Sequence, residues 1–258
     1  MSQRPLCTSE VGTNWVDSGT TACTRHAAPA HRHHEHHHKP HATAPHLTTR
    51  DQQVLAMLTA VGKTDWHERA MFLAQMSHES NDFQRLRENL HYKAKHLLET
   101  FHHKRHGEYV VKDLKDAEAL VQGGTDAIAE RIYGGREDLG NTHPGDGAKY
   151  IGRGIVQLTG RSNYAAAGAA LNLDLVNHPE LAETFPVAMR IALWFWAKHK
   201  IGPPARQGHV VAVTRKINGG VVGLADRRKR YQKYLMLLRR AHPAPHRDVE
   251  PQVIHRLL

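Results

Sequence analysis

Phe72-Leu73-Ala74-Gln75-Met76-Ser77-His78-Glu79-Ser80-Asn81-Asp82 is the stretch on which the reading of this chain turns. Ala70, Leu73, Ala74 and Ser77 recur at helical spacing and share a face, Asp65 stands where an N-cap is wanted, and Glu79 arrives at the far end. A second glutamate follows nine residues later, in Arg87-Glu88-Asn89-Leu90. At about 100° per residue, one unbroken helix would set the two carboxylates on opposite faces. The sequence therefore predicts that the helix stops between them, at Asn81-Asp82, both poor helix formers with turn tendencies. A helix ending near Glu79 and a chain that turns back hold two acids across one groove.

Working outward, the rest of the body reads as mostly helical. Thr48 or Thr49 caps a helix through Val54, Leu55, Leu58 and Val61 that ends near Gly62. Further helical patterns run over about 93–104, 125–133, 161–171, 186–199, 209–218 and 224–241. In the last, Leu224, Tyr231, Tyr234, Leu235 and Leu238 make an apolar stripe, with Arg227, Arg228, Lys229, Arg230, Arg239 and Arg240 around it. That basic face fits either an anionic partner or a solvated surface. Between Gly134 and Gly160 glycines interrupt any helix, while Tyr150-Ile151 and Ile155-Val156 are strand formers. Loops and a short β-hairpin lining the groove are expected there, with Gly152 and Gly154 admitting a close backbone approach.

The chain has 258 residues, enough for one main domain, and 35 Lys and Arg against 25 Asp and Glu give it a net charge of +10. Its expected partner is a polyanion. Nucleic acid is disfavoured, because neither a recognition helix nor an aromatic-interleaved basic strand accompanies the charge. Anionic bacterial envelope polymers suit both the charge and a pair of acids. Apolar runs are too short for a signal peptide or a membrane span, so the protein is expected to be made in the cytoplasm and carried to an envelope substrate by a phage pore or an injection device. Both cysteines, Cys7 and Cys23, lie near the N-terminus, where one disulfide and two reduced thiols fit equally. Residues 31–46 hold eight histidines, a composition expected to be disordered, serving as a tether or taking up adventitious metal. The organisation predicted is an N-terminal segment 1–30, a His-rich linker 31–46, a catalytic domain 47–242 and a tail 243–258.

Four stretches together carry a resemblance: residues 72–80, Glu88-Asn89-Leu90-His91-Tyr92, Gly152 to Tyr164, and Thr214-Arg215-Lys216-Ile217-Asn218-Gly219-Gly220. In this order the chain resembles the family 19 glycoside hydrolases, nearest to their endolysin-like branch. The resemblance implies a lysozyme-like helical domain that cleaves a glycosidic bond between two carboxylates, without metal or organic cofactor. Glu79 matches the general acid, which has to hold its proton, a task suited to partial burial and a second carboxylate nearby. Glu88 matches the general base that activates water, and Thr159 the hydroxyl that helps hold that water. His78, Gln157, Asn163, Tyr164 and Asn218 are implied on the glycan, and Arg215 as a partner for an acid. Ser80-Asn81-Asp82-Phe83 departs from the glycine-containing turn of many members, and the plant enzymes' disulfide framework and cysteine-rich chitin-binding module are missing. Both cysteine differences favour peptidoglycan over chitin. Three alternatives stand beside this reading: a chitinase; a lytic transglycosylase using Glu79-Ser80 and Gly154-Ile155-Val156-Gln157; and a non-catalytic delivery module that binds envelope or metal through the His-rich tract and the basic helix, with the glycosidase-like body inactive.

Overall fold

The computed structural model describes residues 45–241, and they are mainly helical. The expected segment 1–30 with both cysteines, the His-rich linker apart from Pro45 and His46, and the tail 243–258 lie outside the described residues. The helices are α1 (Thr49–Ala60), α2 (Trp66–Glu79), α3 (Ala94–Phe101), α4 (Leu114–Gln122), α5 (Gly124–Tyr133), α6 (Asp146–Lys149), α7 (Arg161–Leu171), α8 (Phe185–Lys198), α9 (Gly202–Arg206), α10 (Val210–Asn218) and α11 (Leu224–Ala241). Two short strands, β1 (Lys104–Arg105) and β2 (Glu108–Tyr109), pair antiparallel between α3 and α4.

Local chemistry explains the ends that matter. Thr48 closes α1 as a capping box, taking the Asp51 N–H while the Asp51 carboxylate takes the Thr48 N–H. Asp65 caps α2 by accepting the Glu68 N–H at 2.8 Å. Residues Ala70 to Ser77 are all buried, so α2 is a central helix packed on every side. Each of its large apolar side chains contributes roughly 1.5–3 kcal/mol by leaving water. At its start the buried Glu68 carboxylate takes Lys63 Nζ, Arg206 Nη1 and Trp196 Nε1 at 2.7, 2.8 and 3.0 Å. Burial pushes that carboxyl up, and these three bonds outweigh it and leave it below the ordinary glutamate value.

The apolar side chains form two clusters. One joins α1, α2, α7, α8, α10 and α11, with Phe72 against Trp196 at 5.0 Å. The other joins α3, α4, α5 and residues Leu90, Val110, Val111 and Ile151. They meet where residues 86–88 run beside 152–154: Gly154 N–H donates to Leu86 O and Glu88 N–H to Gly152 O. The hairpin expected over 150–156 is pared down to one antiparallel bridge between Arg153 and Leu158, with Arg87 bridged to Arg153 on its other side. The regular two-stranded sheet lies instead at 104–109, which cuts the helix expected over 93–104 at Phe101.

Candidate active site

Helix α2 ends at Glu79, and the chain then takes three successive left-handed residues, Asn81, Asp82 and Phe83, at φ +49°, +57° and +63°. Asn and Asp tolerate that conformation singly, but a run of three that includes a phenylalanine is uncommon. The turn is fixed by its surroundings: Ser80 Oγ donates to Met76 O and accepts the Phe83 N–H, Asp82 N–H donates to Ser77 O, and Asp82 pairs with Arg230. Phe83 is buried edge-on against Phe185. This reversal brings Glu88 back beside Gly152.

Glu79 is one-tenth exposed, and its neighbour is a guanidinium, where the sequence suggested a second carboxylate. Arg227, buried on the inner face of α11, donates Nη2 to Glu79 Oε1 at 2.5 Å, Nη1 to Gln75 Oε1 at 2.5 Å and Nε to Val222 O at 3.1 Å. A buried charge is tolerable when it is paired and hydrogen-bonded, and here each of the three guanidinium nitrogens makes a bond. Among the described residues Oε2 of Glu79 takes no hydrogen bond, so it is the oxygen left open to a substrate. His78, next to the acid, bonds Asp226 at 2.7 Å, and Arg230 Nε bonds the same carboxylate at 2.6 Å. Partial burial pushes Asp226 up, yet His78 and Arg230 hold it below the ordinary aspartate value. Gly223 lies against this histidine, since a Cβ there would come within 2.4 Å of His78 Nε2.

Glu88 is held from the other side. Gly152 N–H donates to its Oε1 at 2.5 Å and the Tyr133 hydroxyl to its Oε2 at 2.8 Å. Burial raises its carboxyl above the ordinary glutamate value of 4.5, and the Gly152 and Tyr133 bonds with the charges of Arg153 and Arg87 offset this only in part. A Cβ on Gly152 would lie 3.0 Å from Gln157 Oε1 and 3.3 Å from both Glu88 Cδ and Thr159 Oγ1, so these three groups converge on one glycine. Thr159 Oγ1 donates to Gln157 O at 3.0 Å, which leaves its lone pairs to accept from a water. Asn163 Nδ2 donates to Thr159 O at 2.8 Å and steadies that residue.

The remaining expected residues divide. Asn218 closes the turn after α10, donating to Val222 O and accepting the Gly220 N–H, beside the Arg227 that holds Glu79. Tyr164 is not open to a glycan: its side chain is wholly buried, its hydroxyl donates to Ile151 O at 2.7 Å and accepts from Arg153 Nη1 at 3.1 Å, and it supports the Gly152 loop from behind. Arg215 is exposed on α10 and makes no ion pair among the described residues; Arg227 fills the part expected of it. Sequence reasoning assigned Arg227 to a basic outer face. The signal was there, because Arg227 falls three residues after Leu224 and four before Tyr231, on the apolar stripe, where a charge requires a buried partner. Tyr133 gave no such signal, since nothing local ties it to a residue 45 positions away. No group of three or more His, Cys, Asp or Glu stands where it would hold a metal ion among the described residues.

An acid with one open oxygen, a carboxylate raised by burial and held at both oxygens, and a hydroxyl free to accept form a set suited to hydrolysing a glycosidic bond. Known proteins agree. Residues 137–231 match the family model described as Glyco_hydro_19, Chitinase class I. A glycosyl hydrolase family 19 domain-containing protein of Haemophilus influenzae is 35% identical over 185 residues, 72% of this chain and 87% of that protein. The basic endochitinase CHB4 of Brassica napus is 40% identical over 95 residues, 35% of this chain and 34% of that enzyme. Among solved structures, chitinase C from Streptomyces griseus HUT6037 aligns with a TM-score of 0.43 and 21% identity, over 74% of this chain and 70% of that one. With the Haemophilus relative matched over most of its length, the chain belongs to glycoside hydrolase family 19, whose glycosidases act on β-1,4 glycans of the chitin and peptidoglycan type.

Proposed function

We propose that this chain is an endolysin-type, cell-wall lytic member of its family, hydrolysing the β-1,4 bond between N-acetylmuramic acid and N-acetylglucosamine with inversion. The observation that carries the mechanism is the division of the carboxylates between two supports: Glu79 on Arg227 with Oε2 open, and Glu88 on Gly152 and Tyr133. Glu79 passes a proton to the glycosidic oxygen as its bond to the anomeric carbon breaks. Water, accepted on one side by Thr159, attacks that carbon from the opposite face and gives its proton to Glu88. Peptidoglycan is favoured over chitin by the net charge of +10 against an anionic wall and by a body without cysteine. The same reading has the protein reach its substrate through a phage-made membrane pore or by injection.

Digestion of purified peptidoglycan and chitin in parallel, with the released ends identified by mass spectrometry and borohydride reduction, tests the proposal. Reducible muramic ends, initially in the α configuration, are expected. Faster turnover of chitin would overturn the substrate, and anhydro-muramic ends would replace hydrolysis with transglycosylation. Glu79→Gln keeps the side chain's shape and removes the proton, so wall lysis should fall at least about a hundredfold. A folded Glu79→Gln protein with near-normal activity would remove Glu79 from the mechanism.

A further inference from the structure

The β1–β2 hairpin takes no part in the chemistry at Glu79 and Glu88, yet its build is specific. Its two-residue turn is His106-Gly107, with φ of +53° and +87°, a turn in which asparagine or glycine sits at lower cost than histidine at the first position. Strain of this kind collects where a side chain is wanted at a particular place. Below the tip, the His102 ring stacks on Tyr109 at 4.4 Å and 10°, and Lys104 Nζ lies 5.2 Å from the same tyrosine ring, which is 40% exposed. The row continues onto α3: His103 is 6.4 Å from Phe101, Phe101 5.7 Å from Tyr92, and Tyr92 stacks on His96 at 5.6 Å.

Charge along this edge is one-sided. Lys93, Lys95 and Lys104 are exposed, as are His91, His102, His103 and His106, while the acids between 91 and 109 are Glu99 and Glu108 alone. Glu99 already faces Lys95 and His96, at 4.0 and 3.9 Å. Arg105 turns inward, donating to Ile132 O at 2.6 Å and Arg131 O at 3.0 Å. The hairpin is thereby rooted in the segment whose Tyr133 holds Glu88.

We propose that this edge is an accessory wall-binding surface, taking a stretch of anionic glycan beyond the bond being cut. Tyr109, exposed at the rim of the row, offers its ring to a sugar, and the ammonium and imidazole groups meet the free carboxylates of the stem peptides. This rests on the peptidoglycan reading above. It explains why stacked rings and exposed basic side chains share one strained hairpin.

The test uses the full chain carrying Glu79→Gln, sedimented with insoluble peptidoglycan or chitin over a series of salt concentrations. Salt-sensitive retention on peptidoglycan is expected. Adding Lys93→Glu and Lys104→Glu should weaken it about tenfold, the lower end of what a one-signed surface adds to capture. In a background with Glu79 intact, the same two changes should leave cleavage of a short neutral chitooligosaccharide unaltered. His106→Gly, which relieves the turn, provides a second variant that keeps the fold and should also weaken retention. Undiminished retention of both variants overturns the proposal, as does tighter capture by single-stranded RNA than by the wall at equal salt. If the wild-type chain digests chitin and leaves peptidoglycan intact, the substrate reading itself fails.

Discussion

Glu88 is the residue on which activity and stability pull in opposite directions. Its carboxyl is raised by burial, so the folded state favours the protonated form. That preference contributes fully below the ordinary value of 4.5 and is lost as pH rises through the raised value. A neutral glutamine accepts from Gly152 in the same way and escapes this loss. Glu88→Gln should therefore abolish wall lysis and raise the thermal midpoint, by more at about pH 7 than at about pH 4; a gain of equal size at both would contradict the assignment. Tyr133 acts on the same carboxylate, through a bond that lowers its pKa. Tyr133→Phe should shift the acid limb of kcat/KM to higher pH, whereas a residue needed only for packing would lower the rate without moving the limb. At this scale the helix end between Glu79 and Glu88 was legible from their nine-residue spacing and the turn formers that separate them. Their holders were not, because Arg227 and Tyr133 reach them only through tertiary structure.

Helix periods and caps were legible at the scale of the element. Residues 161–171 and 224–241 form helices over the predicted spans, and Thr48 and Asp65 cap where expected. Helix α4 was missed although Asp113 caps it by accepting the Asp116 N–H and Leu114, Ala117 and Val121 recur at helical spacing within it. The turn after α2 was foreseen as a break, but its geometry of three left-handed residues without glycine comes from tertiary contacts at Ser80, Asp82 and Phe83. Asn81 is exposed, as Asp82 is, but its side chain has no such contact among the described residues. Asn81→Gly should accordingly change stability by less than about 1 kcal/mol. Asn81→Val, branched at Cβ, should cost roughly 1–2 kcal/mol. Chemical denaturation with unchanged slope reads both, and a harmless valine would mean that the turn can relax.

For the whole molecule, the main helical domain followed from length, composition and motif order, whereas its two apolar clusters had no counterpart in the sequence pattern. Periodicity tells which face of a helix is buried and leaves open the partner it is buried against. Leu47 packs on the first cluster and Thr48 caps α1, and we propose that the folding unit begins just before them. A chain beginning near Pro45 should fold and digest purified peptidoglycan as well as the full sequence does. Loss of helical signal or of activity in that shortened chain would place the boundary earlier.

The two clusters also bear on how the enzyme wears out. Glu79 belongs to the α2–α11 body, while Glu88 depends on Tyr133 of the α3–α5 body and on the 86–88 and 152–154 seam. The spacing of the acids is thus a relation between two bodies and the property of neither. Heating that loosens the smaller body would misalign the pair while most of the helix remains intact. Inactivation then precedes unfolding, and the amides of α3 to α5 exchange with solvent before those of α2.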